Sequence, residues 1–401
     1  MKVYQINTVY NIGSTGRIVA QLKHTLEARG DECMVAYGRG FSEEKNTFKI
    51  GNIFDLYFHA MMTRITDKTG FYSKKNTRRL INDIKQFNPD IIHLHNLHGY
   101  YLNIEMLFKF LKEYNKPIVW TLHDCWAYTG HCAYYSEEGC NKWKTICHDC
   151  SQCRKYPSSY FADNSKNNFL KKKELFTLID NKTIVTPSFW LKREVEQSFL
   201  GKYNTQCIYN GIDTSVFKPT QGDLRIKYNL ENKKIILGVA SMWSERKGFL
   251  DFCKLAEILP DEYRIVMVGI ESNQTVKIPS NIICIEKTDS QKMLASIYTE
   301  ADVYFNASVE ETMGLTTIEA IACGTPVVVY NKTAIPEVVD EKVGRVVESG
   351  NIEDVKLAIE DIFTMENRSE ICVQYAKKYC MEKQYAEYMD LYKKHAVASE
   401  L

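Results

Sequence analysis

The segment DVYFNASVEETMGLTTIEAIACGTPVVVY, residues 302–330, decides the fold. Its first seven residues are β-branched, aromatic and small, which predicts a strand ending near Ser308. Gly314 to Cys323 then reads as a helix closed by Gly324, and PVVVYN as the next strand. Strand, helix and strand in that order form the βαβ unit of a parallel sheet.

The same alternation runs outward in both directions. Strand candidates in the first half are VYQINT, CMVAYG, DIIHLHN, PIVWTLHD, TIVTPS and QCIYN. In the second half they are KIILGVAS, YRIVMVG, NIICIE, DVYFNAS, PVVVYN and GRVVE. Six and six predict an α/β chain of two Rossmann-like domains with parallel sheets, over residues 1–209 and 210–380. The stretch NGIDTSVFKPTQGD (210–223) is the linker, and the aromatic helical pattern within 381–401 packs back on the first domain. Ligands of such sheets bind at the carboxyl ends of strands, so a site in a cleft between facing domains is expected.

Length and composition agree with two cores: 401 residues, 45% hydrophobic and 25% charged. A net charge of +1 gives no global field for nucleic acid, so phosphate binding has to be local. The first residues, MKVYQINTVYN, hold no leader-like apolar stretch, and no run approaches a spanning helix; the expected location is the cytoplasm.

Within the opening segment the backbone amides of Met313, Gly314 and Leu315 fall at a helix N-terminus, where hydrogen bonding and the helix dipole favour a diphosphate. Glu319, a turn or more inside, can accept two hydroxyl hydrogen bonds as a ribose diol offers, and Glu311 faces whatever is joined to the phosphate. The bland alternative is a solvated Glu319 and a dipole-paired Glu311, with Glu310 able to replace Glu311 if the turn shifts by one residue. In GVASMWSERKGFLDF, Arg246 and Lys247 lie in the loop between a strand and a helix, suited to a diphosphate and to negative charge developing on it as it leaves. An isolated Arg-Lys pair is otherwise a solvated turn.

Together these pieces resemble the retaining glycosyltransferases of family 4, which have the GT-B fold. The resemblance rests on Glu311 and Glu319 with GL between them and EAIACGTPVV after them, on ERKG, and on YNGIDTSVFKP. It implies a hexosyl transfer from a nucleotide-diphosphate sugar, of UDP or GDP type, to a saccharide or lipid-linked saccharide, with no cofactor required for catalysis. It further implies that Glu319 holds the donor ribose, Glu311 the donor sugar, and Arg246 with Lys247 the diphosphate. Many members carry an arginine five residues before the lysine, where this chain has Met242, so that role passes to Arg246. His123 in TLHD would touch the donor sugar, Gly16 in NIGSTGRI would lie on the donor side, and Gly13, His95 and Asp124 on the acceptor side.

In HLHNLHGYY, His93 and His95 share one strand face, and three histidines without a thiolate or carboxylate at fixed spacing do not make a metal site. Six cysteines crowd between Cys125 and Cys153, and Cys132, Cys140, Cys147 and Cys150 form C-x7-C-x6-C-x2-C. That spacing suits a structural zinc stapling an insertion over 125–153; free thiols or disulfides are the alternatives. The insertion, with HDCW, TGHCAY, CHDC and YPSS, looks like the family 4 subgroup of colanic acid and related exopolysaccharide assembly. FYSKKNTRRL (71–80) and FLKKKELF (169–176) suit either an anionic membrane surface holding a lipid-linked acceptor or plain solvated helix faces. Rival readings are a nucleotide-sugar epimerase on the same fold and a non-catalytic nucleotide-sugar-binding partner subunit. A dinucleotide oxidoreductase is disfavoured, because neither half carries G-x-G-x-x-G after its first strand.

Overall fold

The computed structural model of the chain describes residues 1–270 and 278–398. They divide into two units, Met1–Tyr209 together with the segment from Tyr385 onward, and Asn210–Gln384.

The first unit is built on β1 (Lys2–Val9), β2 (Glu32–Arg39), β3 (Thr47–Lys49), β4 (Ile91–Leu94), β5 (Ile118–Thr121), β6 (Lys182–Thr186) and β7 (Thr205–Cys207). They pair in the order β3-β2-β1-β4-β5-β6-β7, every pair parallel. The sequence leads one to expect six strands here, and the seventh is β3. It has only three residues, on the sheet edge, too short to leave an alternating pattern. Helices cover both faces, so β4 and β5 are buried at every position and read as apolar runs.

The second unit holds β8 (Lys234–Val239), β9 (Tyr263–Val268), β10 (Ile282–Ile285), β11 (Val303–Asn306), β12 (Val327–Tyr330) and β13 (Gly344–Val347). Their order, β10-β9-β8-β11-β12-β13, is again wholly parallel. In both sheets the winding direction reverses once, at β1/β4 and at β8/β11. Side chains just past the carboxyl ends of those strands border a crevice that helices on the two faces leave open.

Local chemistry sets the helix starts. Asn52 and Asp55 form a reciprocal capping box at the helix Ile53–Thr66, and Asn103 caps the helix Ile104–Tyr114. The last helix, Met381–Ala398, carries Tyr385, Tyr388 and Tyr392 on its buried side. Tyr385 donates to Gln21 at 2.6 Å, and Tyr388 lies 3.1 Å from the Thr121 hydroxyl. No helix among the described residues is long and apolar enough to cross a membrane.

Candidate active site

At the reversal point of the second sheet, β8 leads through a single 3-10 turn, Glu245–Lys247, into the helix Phe249–Ile258. Gly248 between them has φ +74°, and a Cβ there would lie 2.2 Å from the Ala307 Cβ and 2.5 Å from its carbonyl oxygen. The glycine therefore lets this loop touch the chain leaving β11 backbone to backbone. Trp243 fixes the start of the loop, donating its indole N–H to the Val268 carbonyl at 2.9 Å.

That contact knits two segments 64 residues apart. The Val309 amide donates to the Arg246 carbonyl at 3.0 Å, and the Arg246 guanidinium donates to the Glu310 carbonyl at 2.9 Å. Lys247 pairs with the Glu311 carboxylate, and the two side chains keep 21% and 18% exposure, so a ligand can still reach them. Burial opposes the charge on Glu311, but the Lys247 ammonium and its hydrogen bond, the Arg246 guanidinium and Ser308 overcome that cost and hold the carboxyl below its ordinary value. Glu311 thus carries a carboxylate beside the cations, while the Glu310 side chain is buried.

Past this turn Gly314, at φ +84°, opens the helix Leu315–Ala322, in agreement with the expected helix to within a residue at each end. Tyr304 and Asn306 of β11 donate to the Thr316 and Thr317 hydroxyls at 2.8 and 2.9 Å, clamping the first turn to the strand. The first amides of a helix have no intrahelical acceptor, which leaves this end suited to an anion. The side chain of Met313 is buried, its sulfur accepting the Asn210 amide at 3.1 Å. One turn along, the Glu319 carboxylate accepts from the Tyr298 hydroxyl at 3.2 Å.

The first unit fills its own reversal point differently. Gly13, at φ +64°, opens the helix Gly13–Ala28 with free space where a Cβ would stand. Gly16 is packed: a Cβ would come within 3.1 Å of the Val9 side chain, and its carbonyl accepts the Asn11 amide. Beyond β4 and β5 lies a chain of imidazoles. Gln5 donates its amide N–H to the Val19 carbonyl, which turns its oxygen toward His95 Nε2 at 3.1 Å. His95 Nδ1 is then the acceptor for His123 Nε2–H at 3.1 Å, a tautomer assigned from the network. His93 is held by Thr121 at 2.8 Å and by the Tyr392 hydroxyl. Burial keeps all three rings neutral, with His123 pushed down to about 4 and His93 and His95 well below the usual imidazole value.

Asp124 is committed within the unit. One oxygen takes His98 Nε2 at 2.7 Å, the other the Trp126 amide at 2.9 Å, and His98 Nδ1 meets the Tyr156 hydroxyl at 2.9 Å. Of the basic stretches, FLKKKELF is not wholly a solvated face. Lys172 is buried, donating to the Trp126 carbonyl at 2.6 Å with its ammonium 3.9 Å from the Trp126 ring centroid. Sequence reading missed Gln5 and Lys172. A glutamine midway along a strand buried on both faces is the available signal for the first. For the second it is the position of Lys172 between Phe169 and Phe176, at helical spacing on one stripe. Cys132, Cys140, Cys147 and Cys150 are unoxidised and line one cavity of about 560 Å³ together with His131.

Residues 221–379 match the family described as Glycosyl transferases group 1, and residues 15–216, just over half of the 401, match Glycosyltransferase Family 4. Among curated sequences, the chain is 28% identical over 268 residues to WcaC of Escherichia coli K12, which is named a putative colanic acid biosynthesis glycosyl transferase. That match covers 65% of this chain and 64% of the relative, just under two thirds of its length. Among solved structures, sucrose-phosphate synthase from Thermosynechococcus elongatus superposes with a TM-score of 0.72 at 15% identity, covering 99% of both chains. Anabaena HepE, solved in complex with UDP-glucose, gives 0.64 at 13% identity over 98% of this chain and 100% of that one. At such identities the structures speak for the fold alone. The chain belongs to Glycosyltransferase Family 4 and has the GT-B fold.

Proposed function

We propose that this protein transfers a hexosyl group, with retention, from a nucleoside-diphosphate sugar to a hydroxyl of a lipid-linked saccharide in bacterial exopolysaccharide assembly. The observation that carries the reading is the Arg246–Lys247 loop pinned beside Glu311 and the amino end of the helix Leu315–Ala322. In the proposed complex the diphosphate takes up the Lys247 ammonium and the first helical amides, Glu319 accepts from the ribose diol, and Glu311 hydrogen-bonds the transferred sugar. The bond from the anomeric carbon to the phosphate oxygen breaks, and the bond to the acceptor oxygen forms on the same face. The acceptor's proton passes to the departing phosphate oxygen, so no protein base is needed. Catalysis rests on positioning and on charge stabilisation of the leaving group. The relative named for colanic acid biosynthesis supports the pathway class.

The lipid-linked acceptor is supported by the helix Ile53–Thr66. Phe54 stands 79% exposed on it, with Ile53, Tyr57, Phe58, Met61 and Ile65 also exposed, and Phe161 beside it is 82% exposed. The Tyr160 amide donates to the Arg64 carbonyl at 2.8 Å, tying that second segment to the helix. Arg64, Lys68, Lys74, Lys75 and Arg78 are exposed around this face, while Asp55 is used in the capping box and Asp67 is buried. Aromatic and aliphatic side chains ringed by cations match an anionic bilayer surface.

Two experiments test the reading. A thermal-shift screen over UDP-, GDP- and ADP-sugars should give a concentration-dependent rise with one nucleotide, followed by transfer or slow donor hydrolysis with retained anomeric configuration; no response to any donor overturns it. Flotation with phosphatidylglycerol vesicles should carry the protein, and Phe54→Asp with Phe58→Asp should abolish flotation. Equal flotation with neutral vesicles, or a dimer that the same substitutions dissociate, rules out the anionic surface.

A further inference from the structure

Four consecutive strands of the first sheet, β2, β1, β4 and β5, bring their carboxyl ends to one place. Arg39 closes β2, Thr8 is next to last in β1, His98, Gly99 and Tyr100 follow β4, and Asp124 follows β5. The Thr8 hydroxyl donates to the His98 carbonyl, and Gly99, at φ +111°, runs so close to Thr8 that a Cβ would meet its methyl at 2.5 Å. That approach delivers Tyr100 in left-handed backbone, at φ +70°. The other non-glycine residues with positive φ among the described ones are Asn, Asp, Ser and Thr, so an aromatic residue there is an outlier that its surroundings hold in place.

Those surroundings are a cation and a second phenol. Arg39 donates through Nε and Nη2 to the Gly99 carbonyl at 3.1 and 2.9 Å, and its guanidinium carbon stands 5.4 Å from the Tyr100 ring centroid. The side chain is half-buried, and among the described residues it forms no ion pair. Tyr156, 44% exposed, packs edge-on against Tyr100 and His98 with centroids at 6.3 and 5.6 Å. His98 gives its Nε2–H to Asp124, which leaves Nδ1 to accept the Tyr156 O–H, a tautomer assigned from the network. The phenol oxygen then offers its lone pairs outward. From Tyr100 a file of edge-on rings continues through His59 and Tyr72 to Phe58, on the exposed apolar face of the helix Ile53–Thr66.

We propose that Arg39, Tyr100 and Tyr156 form the acceptor subsite, and that the acceptor they select carries an anionic group, a phosphate or a carboxylate. The proposal rests on the transfer reading above. A planar guanidinium with no carboxylate partner, half out of water at the ends of four strands, suits an oxyanion held by parallel hydrogen bonds. The neighbouring rings give a sugar apolar faces to pack on, and the Tyr156 oxygen accepts one of its hydroxyls. His98 and Asp124 act through Tyr156 and are positioning residues. The charge has two sources, the phosphate that joins a saccharide to its lipid and an acidic sugar within the saccharide, and the file of rings leads from the face proposed for the bilayer to the same fork.

Thermal shift with octyl phosphate and with methyl glucuronide, each against a neutral counterpart, octyl glucoside and methyl glucoside, reads the site in the wild-type chain. An anionic probe should raise the melting temperature saturably where its counterpart does not, and the tighter of the two names the source of the charge. Arg39→Gln should weaken that probe at least about tenfold while the response to nucleotide sugar persists. Lys247→Ala should leave the probe in place, which separates this site from the donor's phosphates. His98→Gln and Tyr156→Phe should weaken it equally, and the double variant no further; additive losses would remove the positioning role. The contrast between charged and neutral probes needs no variant, so it stands if Arg39→Gln does not fold. An Arg39-dependent anion response without any response to nucleotide sugars sinks the transfer reading and leaves the anionic site standing. A donor response with no preference for anionic probes, or an affinity that Arg39→Gln does not change, overturns the subsite.

Discussion

The two units share one winding rule and fill its reversal point with opposite chemistry. At β8/β11 the second unit sets ionised, partly exposed groups: Arg246, Lys247, Glu311 and Glu319. At β1/β4 the first unit sets buried neutral rings that satisfy one another, Gln5 to His95 to His123. All nine histidines of the chain fall in the first unit and none in residues 210–384. A charged pair at the surface can exchange its partner for a ligand's charge, whereas a neutral buried network fixes geometry and resists exchange. One unit is built to trade electrostatic partners, the other to hold shape.

Four measurements break or sharpen that contrast. The largest effect is expected from Lys247→Ala, which should cut turnover by about 100- to 1,000-fold while the fold persists. Turnover within a few-fold of wild type would remove the cation from the site. Next, Gly248→Ala forces a left-handed residue against Ala307 and should cost about 2 to 5 kcal/mol in denaturant melts, since the strain and overpacking terms add. Tolerance would mean that the loop is not held against β11.

The third concerns pH. His123 titrates at about 4 in the folded chain against an ordinary value near 6.5, so the unfolded chain binds the extra proton between those limits. Stability of the first unit is therefore complete above pH ~6.5 and falls as the pH drops toward 4, by about 3 kcal/mol from this ring alone. The second unit has no histidine to titrate in that window. Hydrogen exchange resolved by segment should show the first unit loosening before the second, and a uniform response would contradict the contrast. The smallest effect belongs to Glu319→Gln, which keeps an acceptor for Tyr298 but loses its charge; donor affinity should fall about tenfold by calorimetry.

Much of this was legible in the sequence, for physical reasons. The central strands β11 and β12 are buried at every position and announce themselves as apolar runs, and the glycine pair at 314 and 324 brackets the helix at both ends. β3 left no trace because three edge residues have no period. The pairing of Lys247 with Glu311 is a tertiary fact across 64 residues, which no local pattern encodes. The inward turn of Lys172 is hidden for a related reason: among three adjacent lysines only the helical phase, set by Phe169 and Phe176, tells which one is buried.

The last helix has a consequence for the order in which the chain can fold. Tyr392 meets His93 across 299 residues and Tyr388 meets Thr121 across 267. During synthesis the whole of residues 210–384 emerges before those tyrosines do, so the unit made second has its full set of contacts while the unit made first still lacks the helix that covers β4 and β5. Such long closures are slow. The first 209 residues wait on the helix Met381–Ala398, and a released chain cut before Tyr385 would carry a finished second unit and an unfinished first one.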